Sequence, residues 1–267
     1  MKRPLRLVHT ADVHLGELPT PWHGREPDAD ERAFARVIDL VLEEKADALL
    51  IAGDLFDSNR VPEPAVRFAA AQIARVACPV VLIPGNHDCY DQTSIYRRFD
   101  FRAIGSHVYP LYAEEGEVVT FDQLGMVVWG KGLVEHAPDN RPMAGVPRRA
   151  AEHWWIGMAH GHFVEDRREP RSSLITPDEI EGSGLDYLAL GHVHVFRDVS
   201  RGGVRACYPG APRISYAPDA GSVAIIRLDP AAGVSIEERR LGATILEGDS
   251  LDGDSLAEGS VTDVDTI

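Results

Sequence analysis

Five short apolar runs, at residues 5–8, 49–52, 80–83, 155–159 and 187–190, each give way to a polar segment. Runs of this length and kind read as β-strands. Between the first two, residues 30–45 place Phe34, Val37, Ile38, Val41 and Leu42 at helical spacing, with acidic residues at the start where a helix N-terminus favours them. That stripe is expected to be core. Pro62 or Pro64 can open a second helix running to residue 77, because proline is accepted in a first turn, and this helix should cover the first sheet. Further strand candidates follow at 117–121, 126–129, 204–208, 222–228 and 234–239, separated by turn-forming residues. They suit a second, more antiparallel sheet, and the chain as a whole reads as α/β.

The polar segments after the five runs carry the chemistry: Asp12-Val13-His14, Gly53-Asp54, Gly85-Asn86-His87-Asp88, His160-Gly161-His162 and Gly191-His192-Val193-His194. Open α/β sheets place their sites where strands end and loops begin. In an extended segment residues i and i+2 point the same way, so Asp12 with His14, and His192 with His194, can each offer two donors toward one point. Mixed imidazole, carboxylate and carboxamide donors suit manganese, iron, zinc or nickel better than calcium or magnesium. Two such ions lie roughly 3.5–4 Å apart and need a bridging ligand; Asp54 is the natural one. Gly53 and Gly85 would let the backbone turn sharply and approach the ions closely. Any one segment alone is explained by a turn, a helix cap or a satisfied core histidine, but five in succession after five strands are not.

In this order the segments resemble the D-x-H, G-D, G-N-H-[DE], H, G-H-x-H pattern of the calcineurin-like metallophosphoesterases over residues 7–228. The phrasing His9-Thr10-Ala11-Asp12-Val13-His14-Leu15-Gly16, Gly53-Asp54-Leu55-Phe56-Asp57, Pro84-Gly85-Asn86-His87-Asp88 and Leu188-Ala189-Leu190-Gly191-His192-Val193-His194 is most similar to SbcD-type DNA repair exonucleases. Serine/threonine phosphatases fit worse, with Arg-Gly after the second motif, as do purple acid phosphatases, with a tyrosine where Asp57 stands. The resemblance implies a four-layer α/β/β/α sandwich and two divalent ions, manganese first, with iron, zinc or nickel as alternatives. It puts Asp12, His14, Asp54 and His194 on one ion and Asp54, Asn86, His160 and His192 on the other, and leaves His87 to stabilise the transition state or protonate the leaving oxygen. His160 emerges first from its strand and is the expected ligand, with His162 left to contact substrate or support a ligand from behind.

The implied reaction is phosphodiester hydrolysis by in-line attack of a metal-bound hydroxide, on DNA as exonuclease or endonuclease. SbcD-type nucleases also carry a capping domain and helices that dock an ATPase partner. This chain ends soon after its last strand, so a docking segment is expected to be missing, and pairing of two subunits stays open. The alternative reading is a stand-alone phosphatase or a cyclic-nucleotide or small-molecule phosphodiesterase. A non-catalytic binding module would lack ligands or the free histidine, and here every role has a candidate.

Composition constrains this reading. The 267 residues are 44% hydrophobic, with no run approaching a membrane span and a start too short for a signal peptide, so a cytoplasmic enzyme is expected. Cys78, Cys89 and Cys207 are odd in number and lack metal spacing, and Cys89 reads as an inert loop thiol. Residues 1–245 form the expected catalytic domain. Residues 246–267 hold seven acidic and no basic residues, a composition that resists ordering. The net charge of −15 is awkward for a nuclease, because phosphate contacts supply most non-specific nucleic-acid affinity. Local arginines offset it: Arg97, Arg98 and Arg102 form one cluster, and Arg148, Arg149, Arg167, Arg168 and Arg171 another around the fourth motif. Arg148 and Arg149, with His162, are the candidate substrate contacts, weighed against loop arginines paired with Glu165, Asp166 and Glu169. Trp154 and Trp155 would face opposite sides of a strand, with at least one in the core.

Overall fold

The computed structural model describes residues 2–17, 28–134, 139–149, 152–166, 168, 171–213 and 221–242. The acidic tail at 246–267, Arg167 and Glu169 lie outside the described residues. Two six-stranded sheets form the frame. The first contains β1 (Leu5–Thr10), β2 (Ala48–Ala52), β3 (Val80–Ile83) and β4 (Val108–Pro110) in parallel. The second is built around β6 (Met126–Lys131) and β7 (Trp154–His160), with β5 (Glu117–Phe121) antiparallel at its edge. A two-residue parallel pair, β8 (His162–Phe163) and β9 (Leu174–Ile175), hangs from the end of β7. The second sheet continues through β10 (Tyr187–Gly191), β12 (Arg205–Pro209) and the short β11 (Phe196–Asp198). Finally β13 (Ser222–Asp229) and β14 (Gly233–Arg240) return to the first sheet, antiparallel, on the free side of β1. The orders are β14-β13-β1-β2-β3-β4 and β11-β12-β10-β7-β6-β5.

This corrects the expected second sheet in two ways. Its centre, β6-β7-β10-β12, is parallel and only its edges are antiparallel, while the last two strands belong to the first sheet. The physical reason is that an apolar strand pattern records burial and not which neighbour supplies the hydrogen bonds.

The layers follow from strand alternation. On β2, Leu49 and Ile51 pack outward with Phe34, Val37, Ile38 and Val41 of α1 (Ala29–Glu43) and Val66, Ala69 and Ile73 of α2 (Glu63–Ile73). Leu50 and Ala52 of the same strand face the second sheet, meeting Ile156, Met158 and Ala189. Beyond α3 (Ile95–Arg98), α4 (Pro177–Gly182) covers the far face of the second sheet with Ile180, beside Leu188 and Leu190. The result is helix, sheet, sheet and a thin helical layer. Leu42, expected in the α1 stripe, is 44% exposed, because it lies beyond one edge of the arc that Phe34 to Val41 bury. Trp154 and Trp155 are both buried, on opposite faces of β7. Among the described residues, no helix is long and apolar enough to cross a membrane.

Candidate metal centre

All five motif loops leave the same end of the sandwich, where β1, β2 and β3 of one sheet and β7 and β10 of the other stop. They interlock through their backbones. Asp12 N–H donates to the Gly53 carbonyl (3.1 Å), and Val13 and His14 N–H donate to the Asp54 carbonyl (2.8 and 3.1 Å). His192 N–H reaches both carboxylate oxygens of Asp12 (3.0 Å each), and His87 N–H reaches Asp54 Oδ1 (2.8 Å). Buried Asp88 clamps the third loop to the second, accepting from Gly85 N–H (2.7 Å), Phe56 N–H (3.2 Å) and the Tyr96 hydroxyl (2.6 Å).

The donors do not converge by strand alternation. Asp12, His14 and Asp54 have φ of 55°, 54° and 51°, and His192 has φ 106°, so each stands in left-handed backbone. For residues other than glycine such conformations cost about 1–3 kcal/mol each and persist where the surroundings enforce them. The spacing argument is therefore corrected: the loops twist, and His192 and His194 point into different donor groups. Gly85 is needed because a Cβ there would lie 2.2 Å from Asp54 Oδ1, and Gly53 (φ 93°) because a Cβ would lie 2.3 Å from His160 Nδ1. These glycines admit a neighbouring donor side chain to the backbone.

Three groups have donor atoms within 4.8 Å of one another: Asp12, His14 and His194; Asp54, His160 and His192; and, at the rim, His14, Asp57 and His87. The first two mix residues from both sheets. In the first, His194 Nε2 lies 3.3 Å from His14 Nε2 and 3.9 Å from Asp12 Oδ1. In the second, His160 Nε2 lies 3.3 Å from Asp54 Oδ2 and 2.9 Å from Asn86 Oδ1, which in turn is 2.7 Å from His192 Nδ1. His162 Nε2 sits behind this group, 2.7 Å from His192 Nε2. The Tyr208 hydroxyl fixes the backbone on either side of His162, donating to the Gly161 carbonyl (2.7 Å) and accepting from Phe163 N–H (2.7 Å).

The donor set fits a cation. His160 Nδ1 faces the Ala52 carbonyl at 2.8 Å and must carry a hydrogen to pair with it, so its Nε2 is the nitrogen turned toward two oxygens that can themselves only accept. Protons otherwise balance this excess of acceptors. His160 is pushed up to about 9: burial opposes protonation, but the charge and hydrogen bond of Asp54 and the charge of Asp12 prevail. His14 also rises to about 9 against burial, through the carboxylates of Asp57, Asp54 and Asp12. Burial acts to raise Asp54, yet neighbouring His160 and His14 hold its carboxyl well below the usual range. Burial and the charges of His160 and His162 push His192 down to about 3, a neutral imidazole ready to donate a lone pair.

His87 stands at the rim, with its side chain 42% exposed. Its Nδ1 donates to the Asp57 carbonyl at 2.8 Å, which leaves Nε2 as the uncommitted ring nitrogen. The Asp57 carboxylate lies between His87 Nδ1 (3.8 Å) and His14 Nδ1 (3.4 Å). In the sequence Asp57 served only to set the chain apart from purple acid phosphatases; its spacing three residues after Asp54 was the available signal.

Arg149 is not brought to this centre. Arg149 Nη1 pairs with Asp186 (3.2 Å), which precedes β10, so it sits at the opposite end of that strand. Arg168 is taken up by Asp166, and Glu165 by Arg201 (2.9 Å). Arg60, Arg97 and Arg98, by contrast, border the His87 loop. Arg97 donates to the Asp91 carbonyl (2.8 Å) and lies 4.1 Å over the Tyr90 ring, and Arg98 donates to the Asn59 carbonyl. Among the described residues none of the three has a carboxylate within ion-pairing distance.

Fold and site define a metal-dependent phosphoester hydrolase, and similarity to known proteins agrees. The chain belongs to the calcineurin-like phosphoesterase family, whose model matches residues 5–196. It is 27% identical over 83% of its length to the uncharacterized metallophosphoesterase YhaO of Bacillus subtilis, covering 56% of that protein. It is 31% identical over 78% of its length to the DNA double-strand break repair protein Mre11 of Methanopyrus kandleri, covering 49%. To a subunit of the nuclease SbcCD of Rhodobacter capsulatus it is 28% identical over 78% of its length, covering 62%. The chain thus spans about half to three-fifths of these relatives. In fold it is similar to TT1561 of Thermus thermophilus, with a TM-score of 0.59 at 12% identity, over 89% of this chain and 99% of the other.

Proposed function

We propose that the chain is a two-metal phosphodiesterase acting on nucleic-acid strands, a DNA nuclease of SbcD type. The observation that carries the proposal is the pair of adjoining donor groups with an exposed histidine, His87, at their rim. Asp12, His14 and His194 with Asp54 would hold one ion, and Asp54, Asn86, His160 and His192 the other, with manganese the first candidate for this donor set. Divalent cations, when bound, supply positive charge to phosphoryl oxygens and acidify water. The chain's own groups do the rest. Ala52 and the Asp54 loop orient His160, and His162 supports His192 from behind. The Asp57 carbonyl holds His87 so that Nε2 can hydrogen-bond a phosphoryl oxygen or protonate the leaving one.

Arg97 and Arg98 favour a substrate longer than the scissile group, since backbone carbonyls and the Tyr90 ring fix them while their charge stays available to flanking phosphates. Two relatives are a nuclease and a DNA repair protein by name, and one is named as a subunit of a larger nuclease, which extends the proposal to a protein partner. The test is parallel assay of manganese-loaded protein and His87→Ala on bis-p-nitrophenyl phosphate, p-nitrophenyl phosphate and end-labelled single- and double-stranded DNA. DNA cleavage that disappears with His87 is expected. Turnover of the small esters alone would favour the small-molecule phosphoesterase reading that the net charge of −15 suits.

A further inference from the structure

Between the two sheets, amid mostly apolar side chains, runs a buried chain of three polar groups. His9 on β1 faces the second sheet, where its Nδ1 lies 2.7 Å from the Tyr187 hydroxyl of β10, and that hydroxyl lies 3.2 Å from Cys207 Sγ of β12. All three residues are fully buried, among Leu7, Leu50, Ile156, Met158 and Ala189. We propose that His9 and Tyr187 are positioning residues for the metal centre, a hydrogen-bonded tether that sets the spacing of β1 against β10 where their loops deliver the two donor groups.

β1 ends at Thr10 and leads directly to Asp12 and His14; β10 ends at Gly191 and leads to His192 and His194. Neither donor group is complete on one sheet: Asp12 and His14 need His194, and Asp54 needs His160 and His192. Apolar packing tolerates small slides of one sheet over another, whereas a hydrogen bond within a dry interface holds a distance and a direction. Burial pushes the Cys207 thiol up to about 12 and raises Tyr187 well above its ordinary value, so both keep their protons. Burial pushes His9 down to about 3, so it is neutral. Cys207, Tyr187 and His9 Nδ1 can therefore form one continuous run of hydrogen bonds, its direction set by the His9 tautomer, while His9 Nε2 is buried with no hydrogen-bond partner. Buried polar groups in an apolar interface carry a desolvation cost, and a role in fixing geometry explains their presence there.

The inference rests on the two-ion reading, and the experiment separates the two. Mn2+ is titrated calorimetrically into full-length wild type, Tyr187→Phe and, as a packing control in the same interface, Ile156→Val; the melting temperature of each is measured metal-free, and the spin exchange between bound ions is recorded by electron paramagnetic resonance. Tyr187→Phe keeps the ring and removes the tether. It is expected to bind Mn2+ about 10–100-fold more weakly, the range seen when a group that orients a ligand is lost, and to change the exchange-coupled signal. Ile156→Val is expected to lower the melting temperature while binding Mn2+ as wild type does. Equal Mn2+ affinity and an identical exchange signal in Tyr187→Phe and wild type overturn the positioning role. So does a loss in Ile156→Val that matches that of Tyr187→Phe, since destabilisation alone would then explain it. Wild type that takes up no Mn2+ overturns the two-ion reading and the tether with it.

Discussion

The two ends of the β-sandwich use the same residue types to opposite effect. At the end where β1, β7 and β10 begin, charges are matched within the chain: Asp186 accepts from Lys2 Nζ (2.8 Å), Arg149 (3.2 Å) and Trp155 N–H (2.9 Å). Nearby Asp47 takes Arg3 (3.0 Å) and the Arg6 N–H (2.9 Å), and Glu44 takes Arg6 and Arg239 (3.0 Å each). At the other end the carboxylates of Asp12 and Asp54 meet histidines and Asn86, and His160 Nε2 is turned toward oxygens that can only accept. One end is electrostatically closed and supports the frame. The other is built from acceptors and lone pairs that a cation from outside completes.

Substitutions at the open end should therefore remove chemistry and spare the frame, and the closed end should do the reverse. The largest effect is expected from Asp54→Ala, which should abolish turnover and lower metal content together, because in the proposed centre this carboxylate would serve both ions; metal analysis showing two ions in an active variant would break the assignment. His87→Ala should retain both ions and lose roughly 10²–10⁴-fold in kcat, as for a lost general acid. Unchanged turnover would remove His87 from the mechanism. Arg97→Ala and Arg98→Ala should each weaken single-stranded DNA binding and reduce the slope of log Kd against log salt by about 0.7, one phosphate contact apiece. A slope that does not move would leave these arginines as loop supports only. Smallest in function is Asp186→Ala at the closed end. It should cost about 1–3 kcal/mol by stranding partners of a half-buried carboxylate while Mn2+ stoichiometry stays at the wild-type value, as denaturant melts and calorimetry would read.

Much of the open end was legible because its signals are local. A strand buried on both faces writes a short apolar run, as at Ala48–Ala52, and a site at strand ends writes its donors just after. What was not legible depends on partners far along the chain. Residues 222–229 and 233–240 look like any strands, and only the pairing of Leu5 with Leu228 and of His9 with Ala224 assigns them to the first sheet. The left-handed backbone at Asp12, His14 and Asp54 is enforced by the Gly53 and Asp54 carbonyls across two loops, which no spacing rule records. Arg149 looked close to the fourth motif in sequence, but Asp186 draws it to the far end of β10. His9 and Tyr187 lie 178 positions apart and read singly as core residues; the hydrogen bond between them exists only in the fold.

The most direct test of the account is anomalous diffraction from crystals of the manganese-loaded protein. Two peaks are expected, one bounded by Asp12, His14, Asp54 and His194 and one by Asp54, Asn86, His160 and His192, with Asp54 touching both. A single peak, or peaks that leave Asp54 uncoordinated, would contradict it.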